Sequence, residues 1–207
     1  MPRPRSDISE RILEAAAERF LRDGVDGASL RAIARDADTN IGMIYYYYET
    51  KDELFLAVVE QHYQGFVADL ERVMDPALDP ETRLRGLFDR LAQLQPGEFR
   101  VLRLVLREVL SSSSRLARIV ERFSRGHVRV IVATVMQAAQ TGLLDRTLPL
   151  PALVLSVAGL AGLPQIVRRV VESDAPHLAS LLPPPPQLAE SAWRVLMTGA
   201  RPPEPSS

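Results

Sequence analysis

Residues 29–51, SLRAIARDADTNIGMIYYYYETK, restrict the fold of this chain more than any other stretch. Ser29 precedes apolar residues at helical spacing and is suited to be an N-cap, because its hydroxyl can accept a hydrogen bond from an unpaired backbone N–H. Asp38, Thr39 and Asn40 compete with the backbone for hydrogen bonds and so predict a tight turn. The stretch therefore predicts two short helices joined by a polar turn.

The second of these helices, at residues 40–47, is too short to be stable alone. It must be held by its neighbours, and Ile44 and Tyr48, one turn apart, are the predicted inward contacts. A helix turns by about 100° per residue, so four consecutive tyrosines cannot all face inward. The predicted outward side chains are Met43, Tyr46 and Tyr47, with Tyr45 beside them. Exposed aromatic side chains indicate a binding partner.

Two helices joined by a short turn form a helix-turn-helix, whose second helix enters the major groove of DNA. A tyrosine offers a hydroxyl to a phosphate and a ring to a thymine methyl group. Ser29 lies at a helix N-terminus, which favours a phosphate, and Arg31 can reach a guanine edge. The stretch therefore predicts DNA binding, with a protein interface or partial core as the alternative role for the tyrosines.

The rest of the chain follows helical spacing, and no run of residues alternates as a strand does. Thr50 and Glu53 have the spacing of a capping box, and Pro183–Pro186 predicts a rigid spacer. The further predicted helices span residues 9–23, 51–74, 80–94, 98–110, 115–141, 150–172 and 187–197. The chain is therefore predicted to be all-α.

Composition argues against an enzyme. The chain has no cysteine, its three histidines are far apart, and it contains no glycine-rich phosphate loop, metal-ligand spacing or nucleophile motif. We therefore predict no catalytic activity, no cofactor and no metal. The first 75 residues carry nine Lys or Arg against fifteen Asp or Glu, a net charge of −6. DNA affinity must therefore rest on a few placed donors and not on bulk charge.

The two ends of the chain and one apolar run indicate where in the cell the protein is expected and which terminal segments are expected to be flexible. The N-terminus lacks an apolar signal region, which predicts a cytoplasmic protein. Residues 148–167 are long and apolar enough to cross a bilayer but contain three prolines, so a helix buried in protein is favoured. Residues 1–5, with Arg3 and Arg5, form either a disordered terminus or a flexible basic arm that touches DNA. Residues 201–207 are predicted to be a flexible tail.

Residues 9–57 resemble the DNA-binding domain of the TetR (tetracycline-repressor-like) family of bacterial regulators. The most specific matches are Ile33-Ala34, Gly42-x-x-Tyr45 and Lys51-Asp52-Glu53-Leu54. The resemblance implies an N-terminal three-helix helix-turn-helix domain at residues 6–66. It also implies that a long helix joins this domain to a helical ligand-binding and dimerisation domain at residues 67–200.

The resemblance also implies which residues contact DNA. They are Ser29, Arg31, Asn40, Ile41, Met43, Tyr45, Tyr46, Tyr47 and Lys51. The chain departs from the family at Asp38-Thr39, where a glycine followed by an aliphatic residue is usual, and at Tyr48, where Phe is common. We expect Asp38 to adopt the left-handed conformation that Asp tolerates better than most residues. The Tyr48 hydroxyl should reach solvent or a partner.

In the C-terminal region the resemblance implies a homodimer formed by the last two helices. The sequence offers independent support, because the helix at 150–172 is apolar nearly all round. Its predicted surfaces are a stripe of Leu153, Val157, Leu160, Val167 and Val171, and a small-residue surface of Ala158, Gly159, Ala161 and Gly162. We expect a repressor that binds a palindromic operator as a dimer and is released by a small apolar or amphipathic molecule. The alternative is an all-helical interaction or adaptor protein that no longer binds DNA.

Overall fold

The computed structural model describes residues 7–111 and 113–199, and the predicted arm and tail lie outside them. Every regular element of these residues is a helix, which confirms the predicted all-α class. The α-helices are α1 (Asp7–Gly27), α2 (Leu30–Asp36), α3 (Ile41–Tyr47), α4 (Lys51–Val73), α5 (Pro80–Ala92), α6 (Pro96–Ser111), α7 (Ser113–Phe123), α8 (Arg129–Gln140), α9 (Leu150–Asp174) and α10 (Pro185–Gly199).

The helices pack into two units. Among the described residues, the first contains 7–66 together with 96–111 and 113–122, and the second contains 67–95 and 123–199. Helices α6 and α7 thus pack with the helix-turn-helix residues although they lie later in the chain. This grouping describes packing, and the functional division into residues 6–66 and 67–200 stays a prediction.

The core of the first unit forms around α1, as its apolar spacing predicts. Ile12, Ala16 and Phe20 are completely buried, and the Phe20 ring meets the edge of Phe55 from α4 at 6.2 Å between centroids. The backbone leaves helical geometry at Gly24, where φ is +75°. The positive φ favours glycine at this position, and a Cβ there would lie 2.9 Å from the end of the flexible Arg107 side chain of α6 and displace it.

The turn between α2 and α3 is closed by a Schellman motif in which an aspartate replaces the usual glycine. The Thr39 N–H donates to the Ala34 carbonyl at 2.9 Å, and the Asp38 N–H donates to the Arg35 carbonyl at 3.1 Å. Asp38 has φ of +48°, the left-handed conformation expected from the sequence. The departure from the family pattern therefore leaves the turn intact.

Three contacts hold α3. The Asn40 side chain accepts from the Met43 N–H at 3.1 Å and caps the helix, while Ile44 is 1% exposed. The Tyr48 hydroxyl lies 3.0 Å from the Ser9 hydroxyl of α1, and this hydrogen bond is the polar partner expected for Tyr48 from the sequence. Ser29 occupies the N-cap position of α2, but its side chain makes no capping hydrogen bond, so that part of the prediction is wrong.

The second unit is a helical bundle in which α10 packs against α5 and α9. Leu84, Phe88, Val135 and Val157 are fully buried at its centre, and Phe88 meets Trp193 at 5.6 Å between ring centroids. Side chains of the second unit also close helix ends. The buried Arg83 donates from Nε to the Met74 carbonyl at 3.0 Å and from Nη1 to the Gln137 side chain at 2.6 Å.

Some boundaries differ from the sequence prediction. The single helix predicted at 115–141 is interrupted by a π-helical turn at Ser124–Val128, with non-helical angles at Gly126. A 3-10 helix at Pro176–Leu181 was not predicted. Helix α10 begins at Pro185, because proline is favourable in the first helical turn, where its missing N–H has no partner to lose. The predicted spacer is therefore shorter than four residues.

We expect Asn40→Ala to lower the free energy of unfolding by about 1 kcal/mol, because the Met43 N–H loses its cap. Ser29→Ala is the matched control at the other N-cap, and we expect a change within about 0.5 kcal/mol because its side chain makes no capping bond. Urea unfolding of both variants measures the difference. Equal losses at the two positions would contradict this assignment of the caps.

A second pair of variants tests the turn. Asp38→Gly should keep or raise stability, because glycine adopts positive φ without strain, whereas Asp38→Ala should cost about 1 kcal/mol relative to it. Both variants lose the exposed ion pair between Arg11 and Asp38 at 3.4 Å, so their difference isolates the backbone. Thermal unfolding compares them, and an alanine variant as stable as the glycine variant would refute a strained position 38.

Candidate nucleic-acid interface

Helix α3 presents two phenols to solvent. Tyr45 is 53% exposed and Tyr46 is 55% exposed. The preceding residue, Ile44, faces the core. Asn40 at the start of the helix is exposed as well. The predicted outward positions Met43 and Tyr47 are only half-exposed, as is Ile41, so the fully exposed part of the helix surface is narrower than the sequence suggested.

The tyrosine rings support one another. Tyr46 and Tyr47 meet edge to face with centroids 5.1 Å apart, and Tyr47 lies 6.2 Å from Tyr48. Tyr48 is tied to Ser9 of α1, so the series of rings is anchored to the core at one end. The contact with Tyr47 restricts the rotamers of the exposed Tyr46 ring and prepares it for a ligand.

Helix α2 contributes polar groups beside α3. Ser29 and Arg31 are exposed at its N-terminal end. A shallow cleft of about 450 Å³ lies between the two helices, and its lining residues are Arg31, Ala34, Arg35, Asp38, Thr39 and Ile41. Arg35 was missed by the sequence analysis, although its place one helical turn after Arg31 is the signal that could have found it.

Lys51 at the start of α4 has a structural role in addition to the predicted one. Its ammonium donates to the carbonyls of Asp26 at 2.8 Å and Ala28 at 3.2 Å, and so closes the loop that leads into α2. An ammonium has three donors, so one remains for a phosphate. The nine predicted site residues thus lie on α2 and α3, at the N-cap positions of these two helices, and at the first residue of α4.

Arginines pair with carboxylates on the helices around this site. Arg19 of α1 donates to Asp36 of α2 at 2.5 Å, and this contact lowers the pKa of the Asp36 carboxyl below its ordinary value. Arg22 likewise lowers the pKa of Asp23 through a hydrogen bond of 2.9 Å. These pairs leave the net charge of −6 unchanged, because it already counts the arginines, so DNA affinity still has to rest on a few placed donors.

Metal chemistry is not indicated at this site. Within residues 7–111 and 113–199, no group of three His, Asp or Glu side chains is placed to hold a metal ion. The chemistry that the interface offers is hydrogen bonding by hydroxyl, guanidinium and ammonium donors, together with apolar contact by aromatic rings. These are the groups that proteins use on phosphates and base edges.

Residues 12–58 match the family of bacterial regulatory proteins described as the tetR family. The HTH-type transcriptional repressor SCO4008 of Streptomyces coelicolor is 31% identical over 166 residues, which cover 78% of this chain and 82% of that protein. The probable HTH-type transcriptional regulator YttP of Bacillus subtilis is 28% identical over 160 residues, which cover 76% of each chain.

Solved structures share the fold. The transcriptional regulator FadR of Bacillus subtilis superposes with a TM-score of 0.73 at 16% identity, over 93% of this chain and 99% of that one. A TetR-like regulator from Rhodococcus sp. RHA1 gives 0.65 at 20% identity, over 95% and 97%. The helix-turn-helix geometry, the family match and the extended match to SCO4008 agree: this protein belongs to the tetR family of bacterial regulatory proteins and is a transcriptional regulator of the helix-turn-helix type.

Proposed function

We propose that the protein is a repressor that binds a palindromic DNA operator as a homodimer and leaves it when a small molecule binds. The observation that carries the DNA interface is the pair of exposed phenols at Tyr45 and Tyr46 on a helix whose other side, Ile44, is buried. A rigid helix with a polar aromatic surface is suited to the major groove. Regulators of this family are not enzymes, and the proposal includes no catalysis.

The proposed DNA contacts divide into two kinds. Ser29, Tyr47 and Lys51 act on phosphates, because they lie at helix starts or beside the exposed surface and offer hydrogen-bond donors. The remaining contacts act on base edges and set the operator sequence. They are Arg31, Asn40, Ile41, Met43, Tyr45 and Tyr46.

The homodimer proposal is supported by an uncovered apolar face on α9. Leu155 is 73% exposed and Leu163 60% exposed, and a Cβ added at Gly159 or Gly162 would meet no atom within 4 Å. Val195 of α10 is also 60% exposed. Small residues between large apolar ones allow two helices to approach closely, so a second copy of α9 fits this face.

The structure revises which side of α9 is available. Leu153, Val157 and Ala161, which the sequence analysis assigned to the two dimer surfaces, are buried inside the chain. The exposed leucines lie at the intervening positions. A helix that is apolar all round gives no periodic signal that separates a core face from an interface face.

A membrane is the competing explanation for α9. The helix has 25 residues and a mean hydropathy of 1.8 in its most apolar window, 28% of which is buried, so it passes a length and composition test for a span. However, its buried Gln165 donates to the Pro185 carbonyl at 3.0 Å, and Arg168 and Arg169 lie in its last third. A membrane span would place these arginines in or near the bilayer, which is unfavourable, whereas a dimer buries the exposed apolar face without moving a charge into lipid. The dimer is therefore the favoured explanation.

The proposed effector is a small apolar or amphipathic molecule that binds among the C-terminal helices. The similar FadR of Bacillus subtilis was solved in complex with stearoyl-CoA, and the relative HdnoR of Paenarthrobacter nicotinovorans is a nicotine-responsive repressor. These ligands differ, so they support the principle of an effector and leave its identity open. If the effector weakens DNA binding by some factor, DNA must weaken effector binding by the same factor.

Operator binding is tested by sequencing the genomic fragments that the purified protein selects and measuring their affinity in mobility shifts. Arg31→Ala and Tyr45→Ala should each weaken binding by about 10- to 100-fold, because each loses a contact to a base edge. These positions are cleaner probes than Lys51, whose removal also opens the loop at Asp26. Arg100→Ala is the control, since this arginine is exposed on α6, away from α2 and α3 in the sequence.

Selection of specific fragments with the control within about twofold of the wild type supports the repressor. Failure of the folded wild-type protein to retain any genomic fragment above competitor DNA would favour the adaptor protein instead. Regulation of transcription from a selected promoter, with and without the protein, separates repression from activation.

The dimer is tested with Leu155→Arg and Leu163→Arg. A charge placed on each side of the interface should shift the protein from dimer to monomer, because an unpaired buried charge is strongly unfavourable. Sedimentation velocity measures the mass, and Leu78→Arg, at an exposed leucine between α4 and α5, is the matched control. A dimer that persists in both α9 variants would rule out this face.

A further inference from the structure

We propose that Arg115 of α7 is a positioning residue for DNA binding. It fixes the chain before α2 and the start of α4 in their positions relative to each other. This inference rests on the proposed repressor function and assigns a role in it to a residue far outside the helix-turn-helix. Arg115 is 8% exposed. Its guanidinium contacts carboxylates from three separate parts of the first unit: Asp26 at the end of α1, Asp52 in α4 and Glu108 in α6.

The geometry of the cluster uses all three nitrogens of the guanidinium. Nη1 donates to Glu108 at 2.7 Å and to Asp26 at 3.1 Å, Nη2 donates to the second oxygen of Asp26, and Nε donates to Asp52 at 3.3 Å. A planar fork that meets carboxylates in this way fixes orientation as well as distance. The bonds to Asp26 lower the pKa of its carboxyl.

Other contacts converge on the end of α1 and on Ala28, which follows it. The second carboxylate oxygen of Glu108 accepts from the Val25 N–H at 3.4 Å, and Arg107 donates to the Leu21 carbonyl at 3.0 Å. Lys51 donates to the carbonyls of Asp26 and Ala28. The stretch from Leu21 to Ala28 is therefore held by side chains of α4, α6 and α7 at once.

The cluster lies next to two proposed phosphate contacts. Ala28 is followed directly by Ser29, the N-cap of α2, and Asp52 directly follows Lys51. Phosphate contacts set the register of a protein on the duplex. A loop released at Asp26 would displace the Lys51 ammonium that it binds, and with it the start of α2.

The choice of variant follows from burial. Removing Arg115 would leave Glu108, which is 2% exposed, as an unpaired buried charge, and the fold could fail for that reason alone. The Asp26 side chain is 82% exposed, so Asp26→Asn removes one anchor while Arg115 keeps Glu108 and Asp52. Asp26→Glu keeps the carboxylate and serves as the rescue variant.

Repulsion of DNA phosphates by Asp26 and a positioning role for Asp26 predict opposite changes in operator affinity when its charge is removed. A carboxylate near DNA that does nothing else repels phosphates, so its neutralisation should tighten binding. A positioning role predicts that Asp26→Asn weakens operator affinity by about tenfold and reduces the slope of log K against log salt by about 1, because one phosphate contact is lost. Glu14→Gln, at an exposed position of α1, removes the same charge without the cluster and should not weaken binding.

The experiment measures operator affinity over a series of salt concentrations, with urea unfolding of each variant to show that the fold persists. Weaker binding and a smaller slope in Asp26→Asn, restored in Asp26→Glu, support the inference. Affinity equal to or tighter than the wild type, or weaker binding with an unchanged slope, overturns it while the repressor function stands. If the wild-type protein binds no operator, the proposed function fails and the inference falls with it.

Discussion

A recognition helix of seven residues has little stability of its own, and much of the first unit can be understood as the support of α3. Asn40 caps one of its first N–H groups, that of Met43, and the turn before it is closed by Asp38 in the left-handed conformation. Ile44 anchors its inner side, and Tyr48 ties its end to Ser9 of α1. Because these contacts act together, the exposed phenols of the proposed DNA interface are held on a fixed backbone.

Arginine is the residue that links separate helices in both units. The chain has 24 arginines and one lysine, and several arginines bind two or more groups at once. Arg115 joins three carboxylates, and in the second unit Arg168 donates to the carbonyls of Leu182 and Pro183, both at 2.8 Å. A guanidinium offers five donors in a fixed fork and so can link elements where an ammonium provides only a point charge.

The sequence predicted the features that depend on local rules. Helix positions and the left-handed Asp38 follow from side-chain preferences within a few residues, whereas the predicted Ser29 cap is absent and the cap at Asn40 was not predicted. The Arg115 cluster joins residues 89 positions apart, and no local pattern indicates such a pair. The uncovered leucines of α9, Leu155 and Leu163, were missed because a helix without a polar side has no periodicity to interpret.

The support of α3 also limits how its DNA preference can change. Asn40 is exposed at the front of the helix and is at the same time its N-cap, through the Met43 N–H. A replacement that alters a base contact at this position keeps the helix end only if it is another capping residue, such as Asp, Ser or Thr. Tyr45 and Tyr46 have no capping role and are more than half exposed, although the Tyr46 ring also packs against Tyr47. Substitutions that change operator preference therefore destabilise α3 less at Tyr45 and Tyr46 than at Asn40.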